Sequence, residues 1–130
     1  MGRTSSDPRL MWRPVAAARP MIDAFVRSPR CPEAHRGHAR TSLALVALYV
    51  CTLEENDSRG LPWHRLDPDA LASASLEQVA GEDAPDLRFL GALLDLSAAF
   101  YGFLADRGVL RREEAMRIRL RLVELALGFR

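Results

Sequence analysis

The chain has 130 residues and a formal net charge of +1, with 48% hydrophobic and 27% charged residues. This length is enough for one domain with a core of its own, and this composition excludes an intrinsically disordered chain. Leu and Ala dominate, which favours helix because both head the helix propensity scale. We therefore expect a flexible tail over residues 1–9 and one all-α domain over residues 10–130.

The first helical pattern covers about residues 10–28, but it contains two prolines, Pro14 and Pro20. Proline lacks the N–H of an interior helical bond and is tolerated best in a first turn. The sequence therefore predicts a short first piece followed by a helix that begins at Pro20.

The second predicted helix begins near Pro32 or Glu33 and ends around Glu55. It contains the most apolar run of the chain, Thr41 to Leu53. That run is too short to span a bilayer. Because it is apolar nearly all the way round, it is typical of a helix that protein surrounds, and we expect it at the centre of the bundle.

A short third helix is expected after Asp67, which can cap it, through about Ser73, with residues 75–79 adding another turn. Trp63 is expected to anchor the preceding loop on the core.

Residues 84–127 are typical of two helices folded back on each other, in a bundle of about five helices. Pro85 is expected to begin the first of the two, and Gly108 to end it in the left-handed conformation. The second covers about Arg112 to Leu127. The first combines large apolar residues with a ridge of small ones, which predicts close helix-to-helix contact. The small residues are Gly91, Ala98 and Gly102.

The last helix contains one anomaly, Arg119, which falls within the apolar arc at 100° per residue. A buried guanidinium needs an acidic partner, and Asp95 is the best candidate. The alternative is an exposed arginine within an apolar surface that binds a partner. The residues nominated for such a surface are Met116, Arg119, Leu120, Val123 and Leu127.

Patterns for catalysis and metal binding are weak. The sequence has no glycine-rich phosphate loop, nucleophile elbow or His-Glu-x-x-His helix. Cys31, His35 and His38 share the start of the second helix, but zinc takes three or four ligands and a fourth is missing. His64 beside Asp67 is typical of a loop histidine near a cap. We expect no enzyme, no cofactor and no metal.

Two cysteines make no dense disulfide pattern, and the N-terminal residues lack the apolar segment of a signal peptide. We therefore expect the cytoplasm, with no membrane association.

All 18 basic residues are arginines, and charge is segregated along the chain: +5 over residues 1–40, −8 over 41–106 and +4 over 107–130. Either the basic ends neutralise the acidic middle within the fold, or they form a face for an acidic partner. A nucleic-acid-binding domain is therefore the alternative function. The arginines nominated for it are Arg27, Arg30, Arg36, Arg40, Arg111, Arg112, Arg117 and Arg121.

In residues 93–110, Phe100-Tyr101 and Phe103-Leu104 precede Arg107-Gly108-Val109-Leu110. This stretch, under a fifth of the chain, resembles the helical core-binding domain of tyrosine recombinases. The resemblance implies DNA as a ligand, but nothing of the recombinase catalytic domain is matched, and no residue role is carried over. Our leading hypothesis is a non-enzymatic helical module that binds a protein partner or a second copy of itself.

Overall fold

A computed structural model describes residues 8–52, 62–80 and 87–129, and within them the side chains of 16–50, 62–77 and 87–129. The predicted all-α fold is confirmed: these ranges contain five α-helices and two short 3₁₀ helices and no strand. The 3₁₀ helices are Glu33–His38 and Trp63–Arg65. The α-helices are α1 (Pro8–Val26), α2 (Ala39–Thr52), α3 (Pro68–Ala80), α4 (Leu87–Asp106) and α5 (Arg112–Leu127).

The first helix of the C-terminal hairpin, α4, is the central helix of the structure. α4 and α5 share the most extensive contact between helices, α1 packs on α2, and α3 lies against α5 and α4. α4 is long and apolar enough to cross a membrane, but 12 of its 20 residues are buried within the protein, as in a core helix. Its expected start at Pro85 lies outside the described residues.

The hairpin turn forms as the sequence predicts. Gly108 has a φ of 75°, the left-handed conformation that glycine adopts without a Cβ clash. The N–H of Val109 donates to the carbonyl of Leu104 at 2.9 Å, and the N–H of Gly108 to that of Ala105 at 3.0 Å. This pair of bonds is a Schellman motif, which ends α4 and satisfies its last carbonyls.

α1 is one continuous helix, so the predicted break before Pro20 is wrong. Pro20 removes the N–H partner of the Ala16 carbonyl, but both residues are exposed, so water can reach that carbonyl. The helix also includes Pro8 and Arg9, which we expected in the tail; residues 1–7 lie outside the described residues.

The chain turns helical at Glu33 as expected, but as a 3₁₀ helix, and α2 itself begins only at Ala39. Its expected end at Glu55 lies outside the described residues. The prediction that protein surrounds this helix is wrong on one flank, because Leu45 is 43% exposed. The neighbouring helices leave this flank partly open to solvent, because Leu45 lines an open groove between α1 and α2. The buried side chains of α2 are Ser42, Leu43, Val46, Ala47 and Val50.

The third helix is capped as predicted: Asp67 Oδ1 accepts the backbone N–H groups of Asp69 at 3.1 Å and Ala70 at 3.4 Å. α3 continues unbroken to Ala80, so the expected separate turn after Ser73 is wrong. Trp63 is buried as expected.

Candidate protein-interaction surface

The last helix separates two apolar faces. The side chains that pack against the bundle are Ala115, Ile118, Leu122 and Ala126. Four other large apolar side chains of the same helix stay in solvent, and we call them the α5 stripe. They are Met116 (57% exposed), Leu120 (61%), Val123 (40%) and Leu127 (56%).

The stripe is continuous because its members are spaced by four, three and four residues. At 100° per residue they fall within an arc of roughly 60° and extend over roughly 17 Å of helix. Arg117 and Glu124 border one edge of this arc, and Arg112 and Arg119 border the other. The four apolar residues nominated from the sequence therefore share one exposed surface.

Arg119, the fifth nominated residue, lies at the edge of the stripe and is half-buried. Its Nε donates to the backbone carbonyl of Ala98 at 3.1 Å. We expected a carboxylate, with Asp95 as the first choice; the described bond goes instead to a carbonyl one turn further along α4. A carbonyl oxygen has two lone pairs, so it can accept this bond beside its intrahelical one.

A missing side chain makes room for that contact. A Cβ on Gly102 would lie 3.2 Å from Cζ and Nε of Arg119 and 2.7 Å from Nη1 of Arg30. Two guanidinium groups thus occupy the space over Gly102. Arg30 is held there by Asp106, through Nε–Oδ2 at 2.7 Å and Nη2–Oδ1 at 3.1 Å, a bidentate pair.

The ridge of small residues therefore serves two purposes. At Gly91 a Cβ would lie 3.5 Å from Cβ of Phe129 and 3.6 Å from the carbonyl of Ala126, so the end of α5 approaches α4 closely, as predicted. At Gly102 the neighbours are arginine side chains. One sequence signal indicates this contact and was missed: Arg119 lies on the apolar side of its helix, and the adjacent helix of the hairpin carries Gly102.

Half of the arginines nominated for nucleic-acid binding are engaged inside the chain. Arg30 pairs with Asp106, and Arg36 donates to the carbonyls of Val26 and Cys31. Arg40 Nε pairs with Asp23 at 2.8 Å, and Arg121 pairs with Asp69 at 2.5 Å and Glu124 at 3.1 Å. The other four nominated residues are exposed: Arg27, Arg111, Arg112 and Arg117.

These pairs support the prediction that the charged blocks neutralise each other. Arg30–Asp106 and Arg121–Asp69 each join a basic end of the chain to its acidic middle. The hydrogen bond from Arg121 lowers the pKa of Asp69, and the hydrogen bond from Arg40 lowers that of Asp23. Less charge is left for an anionic ligand than the sequence suggests.

The histidines near the start of α2 make a small structural cluster. His38 Nε2 lies 3.3 Å from Nδ1 of His35, and His38 Nδ1 lies 3.1 Å from the hydroxyl of buried Ser42. Both histidines are half-buried. Cys31 is buried and its thiol approaches the carbonyl of Pro32 at 3.8 Å. In the part of the chain that the structure describes, no three His, Cys, Asp or Glu residues are close enough to hold a metal.

A second apolar feature, which sequence reasoning missed, is an open groove of about 540 Å³ between α1 and α2. It follows from the uncovered flank of α2 around Leu45, which we expected to be buried. Its lining residues are Arg19, Ile22, Asp23, Arg40, Thr41, Ala44, Leu45 and Leu48.

Comparisons with protein-family models, curated proteins and solved structures gave no match that indicates a family or a function. The resemblance to the recombinase domain therefore carries no argument here, and function is argued from the surface alone.

Proposed function

We propose that this chain is a non-enzymatic helical interaction module that binds a helix of a protein partner on the α5 stripe. The observation that supports the proposal is the stripe itself: α5 buries its other apolar face and leaves these four large apolar side chains in solvent, spaced as on one face of a helix. Aligned exposed apolar residues of this kind mark interaction sites more often than scattered ones do.

The surface suits a helical ligand. Partner helices present side chains at intervals of three and four residues, and the stripe offers the same intervals. Its backbone is held firmly, because the opposite face of α5 is buried in the core and Arg121 ties the helix to Asp69 of α3.

The expected affinity is modest. Each half-exposed side chain of the stripe gains roughly 1 kcal/mol on burial, and association loses several kcal/mol of translational and rotational freedom. Flanking charges must therefore contribute to specificity, and binding is expected to be reversible.

The non-enzymatic part of the proposal rests on what the polar groups do. His38 holds Ser42 and Tyr101 holds the carbonyl of Trp63, so both serve the fold. We place the protein in the cytoplasm; the buried free thiol of Cys31 suits a reducing compartment.

Site-specific photo-crosslinking in cells of the source organism tests the proposal. A photoreactive amino acid at Leu120 is expected to give an adduct, and one at Leu76 is not. Leu76 is the matched control because it is an exposed apolar residue on α3, outside the stripe.

The adduct at position 120 must also disappear when Val123→Glu places a charge in the stripe. Equal adducts at positions 120 and 76, or none at either position, would contradict the proposed function.

A further inference from the structure

We infer that the helix received by the α5 stripe is α5 of a second copy of this chain, packed antiparallel. This inference rests on the proposed function and names its partner. In the pairing, Leu120 lies opposite Val123 of the second copy, and Met116 lies opposite Leu127 of the second copy.

The spacing of the stripe is that of a coiled-coil seam. Intervals of four, three and four residues place its members alternately at the two core positions of a heptad. Both proposed contacts, 120 with 123 and 116 with 127, have the same midpoint, between residues 121 and 122. One two-fold axis at that point therefore satisfies all four side chains of both copies at once, which is the self-complementary contact that a two-fold dimer requires.

The charges beside the seam select the antiparallel direction. On one edge of the stripe Arg117 and Glu124 occupy equivalent heptad positions, so two-fold antiparallel packing places Arg117 opposite Glu124 of the second copy, twice. On the other edge the position opposite Arg119 is Ala126 of the second copy, which is uncharged and buried in its own bundle. No like charges meet at these positions.

A parallel dimer would be less favourable. In a parallel coiled coil, heptad position g of one helix faces position e of the following heptad of the other helix. Arg112 and Arg119 occupy position g, and Arg117 and Glu124 occupy position e. Arg112 would then lie opposite Arg117 of the second copy, on both sides of the dimer. Like charges in such pairs are destabilising. The parallel dimer would gain only one kind of attractive pair, between Arg119 of one copy and Glu124 of the other.

Glu124 is available for this contact. Its described partner is Arg121, at 3.1 Å, and both side chains are exposed, so that intrahelical pair contributes only a few tenths of a kcal/mol. Arg121 keeps Asp69 as its main partner, at 2.5 Å. A second arginine can therefore approach the outer oxygen of Glu124 without dismantling the α3–α5 connection.

The contact is small, so we expect a weak dimer. A seam of four side chains per copy lies below the area of a standard stable interface, which places the dissociation constant on the order of 10–100 µM. Sedimentation equilibrium over about 5–500 µM covers this range. The apparent mass is expected to rise from the 14.5 kDa of one chain toward twice that value.

Charge exchange tests the direction. Arg117→Glu and Glu124→Arg are each expected to weaken the dimer about tenfold, because each replaces two attractive contacts by two repulsive ones. The double variant R117E/E124R restores both contacts in the antiparallel arrangement, to within about twofold of the natural chain. Leu76→Glu, outside the stripe, should leave association unchanged, and circular dichroism checks that each variant remains helical.

The outcomes separate the two proposals. A chain that stays monomeric at about 500 µM, while position 120 crosslinks to a different protein in cells, would overturn self-pairing and leave the interaction module standing. Dimerisation that Arg117→Glu strengthens would overturn the antiparallel arrangement, and so would a double variant that stays weak. A monomer with no adduct at position 120 would remove both proposals.

Discussion

The phenol of Tyr101 is buried at the junction between α4 and the 3₁₀ helix Trp63–Arg65. Its hydroxyl donates to the carbonyl of Trp63 at 2.6 Å, and the same carbonyl accepts the N–H of Leu66 at 3.2 Å. Burial raises the pKa of Tyr101 far above its usual range, so the side chain is a neutral donor at every physiological pH. One hydrogen bond thus joins an anchoring segment to the central helix.

We expect Tyr101→Phe to lower the free energy of unfolding by about 1 kcal/mol, because the aromatic packing is kept and one buried hydrogen bond is lost. The Trp63 carbonyl keeps its bond from Leu66, which limits the loss. Urea denaturation followed by tryptophan fluorescence measures the change. An unaltered midpoint would show that the bond adds nothing to stability.

Cys31 is expected to be unreactive in the folded protein. Burial raises the pKa of its thiol, so little reactive thiolate forms at neutral pH, and the sulfur is shielded from solvent. In a Cys51→Ser background, a disulfide reagent at pH 7.5 should label Cys31 at least about 100-fold more slowly in buffer than in urea. Fast labelling in buffer would mean that the segment before α2 opens readily.

At the level of elements, the Arg121–Asp69 pair joins α3 to α5 and makes stability depend on pH. The arginine holds the pKa of Asp69 below its ordinary value of 3.8. A carboxyl whose pKa is lower in the folded than in the unfolded state stabilises the fold above its unfolded pKa. That contribution is lost as the pH falls through the folded pKa.

Asp69→Asn should therefore lower the urea midpoint at pH 7 and lower it less near pH 3, which lies below the ordinary pKa of 3.8. Urea titrations at the two pH values measure this difference. Glu77→Gln, which removes an exposed carboxylate from the same helix, is the matched control. An equal effect of Asp69→Asn at both pH values would show that the ion pair is not the cause.

The two glycines inside α4 provide a matched pair of substitutions. Alanine is favoured over glycine in a helix by roughly 0.5–1 kcal/mol. At Gly91 the new Cβ meets its neighbours at 3.5 Å or more, an ordinary contact, so Gly91→Ala should raise the free energy of unfolding by about that amount.

At Gly102 the new methyl group must displace Arg30 and the bond from Arg119 to Ala98, so Gly102→Ala should gain less or destabilise. Thermal unfolding of both variants compares them. A larger gain at position 102 than at 91 would show that the arginines over Gly102 do not stabilise the fold.

How far the sequence predicts each element depends on whether its signals are local. The cap at Asp67 and the turn at Gly108 were predictable because their bonds join neighbours in the chain. The continuity of α1 was not predictable, because the free-energy penalty of an interior proline depends on whether water reaches the carbonyl that has lost its N–H partner. Periodicity gave the apolar character of α2, but not whether a neighbouring helix would cover Leu45.

The same distinction applies to the candidate surface. The spacing of apolar residues on α5 is readable from the sequence, and four of the five nominated side chains belong to the stripe. The position of Arg119 could not be predicted from the sequence, because its hydrogen bond depends on Gly102 of another helix and on Arg30. The orientation of one helix against another decides which of two apolar faces stays in solvent.

On the scale of the whole molecule, charges that are segregated in sequence meet in space. Arg30 pairs with Asp106 and Arg121 with Asp69, so basic and acidic blocks neutralise each other across the bundle. This arrangement weakens the alternative function, because nucleic-acid affinity depends on arginines that are free to contact phosphates.

We therefore expect no detectable binding to random duplex DNA at about 150 mM salt, and no strong binding that appears only when the salt is lowered. Fluorescence anisotropy of a labelled duplex at low and physiological salt measures it. Binding that falls steeply with salt and is lost in the double variant Arg111→Gln/Arg112→Gln would contradict this expectation and favour the nucleic-acid hypothesis.

The turn at Gly108 has a consequence for chirality. Its φ of 75° lies where L-amino acids are strained, yet an L-configured Cβ would find open space there. An L-residue in place of Gly108 would therefore be penalised by its backbone conformation and not by steric clashes of its side chain. A mirror-image alanine, introduced by chemical ligation, would favour this φ and restrict the unfolded chain more than glycine does, so a single inverted stereocentre would rigidify the link to the last helix.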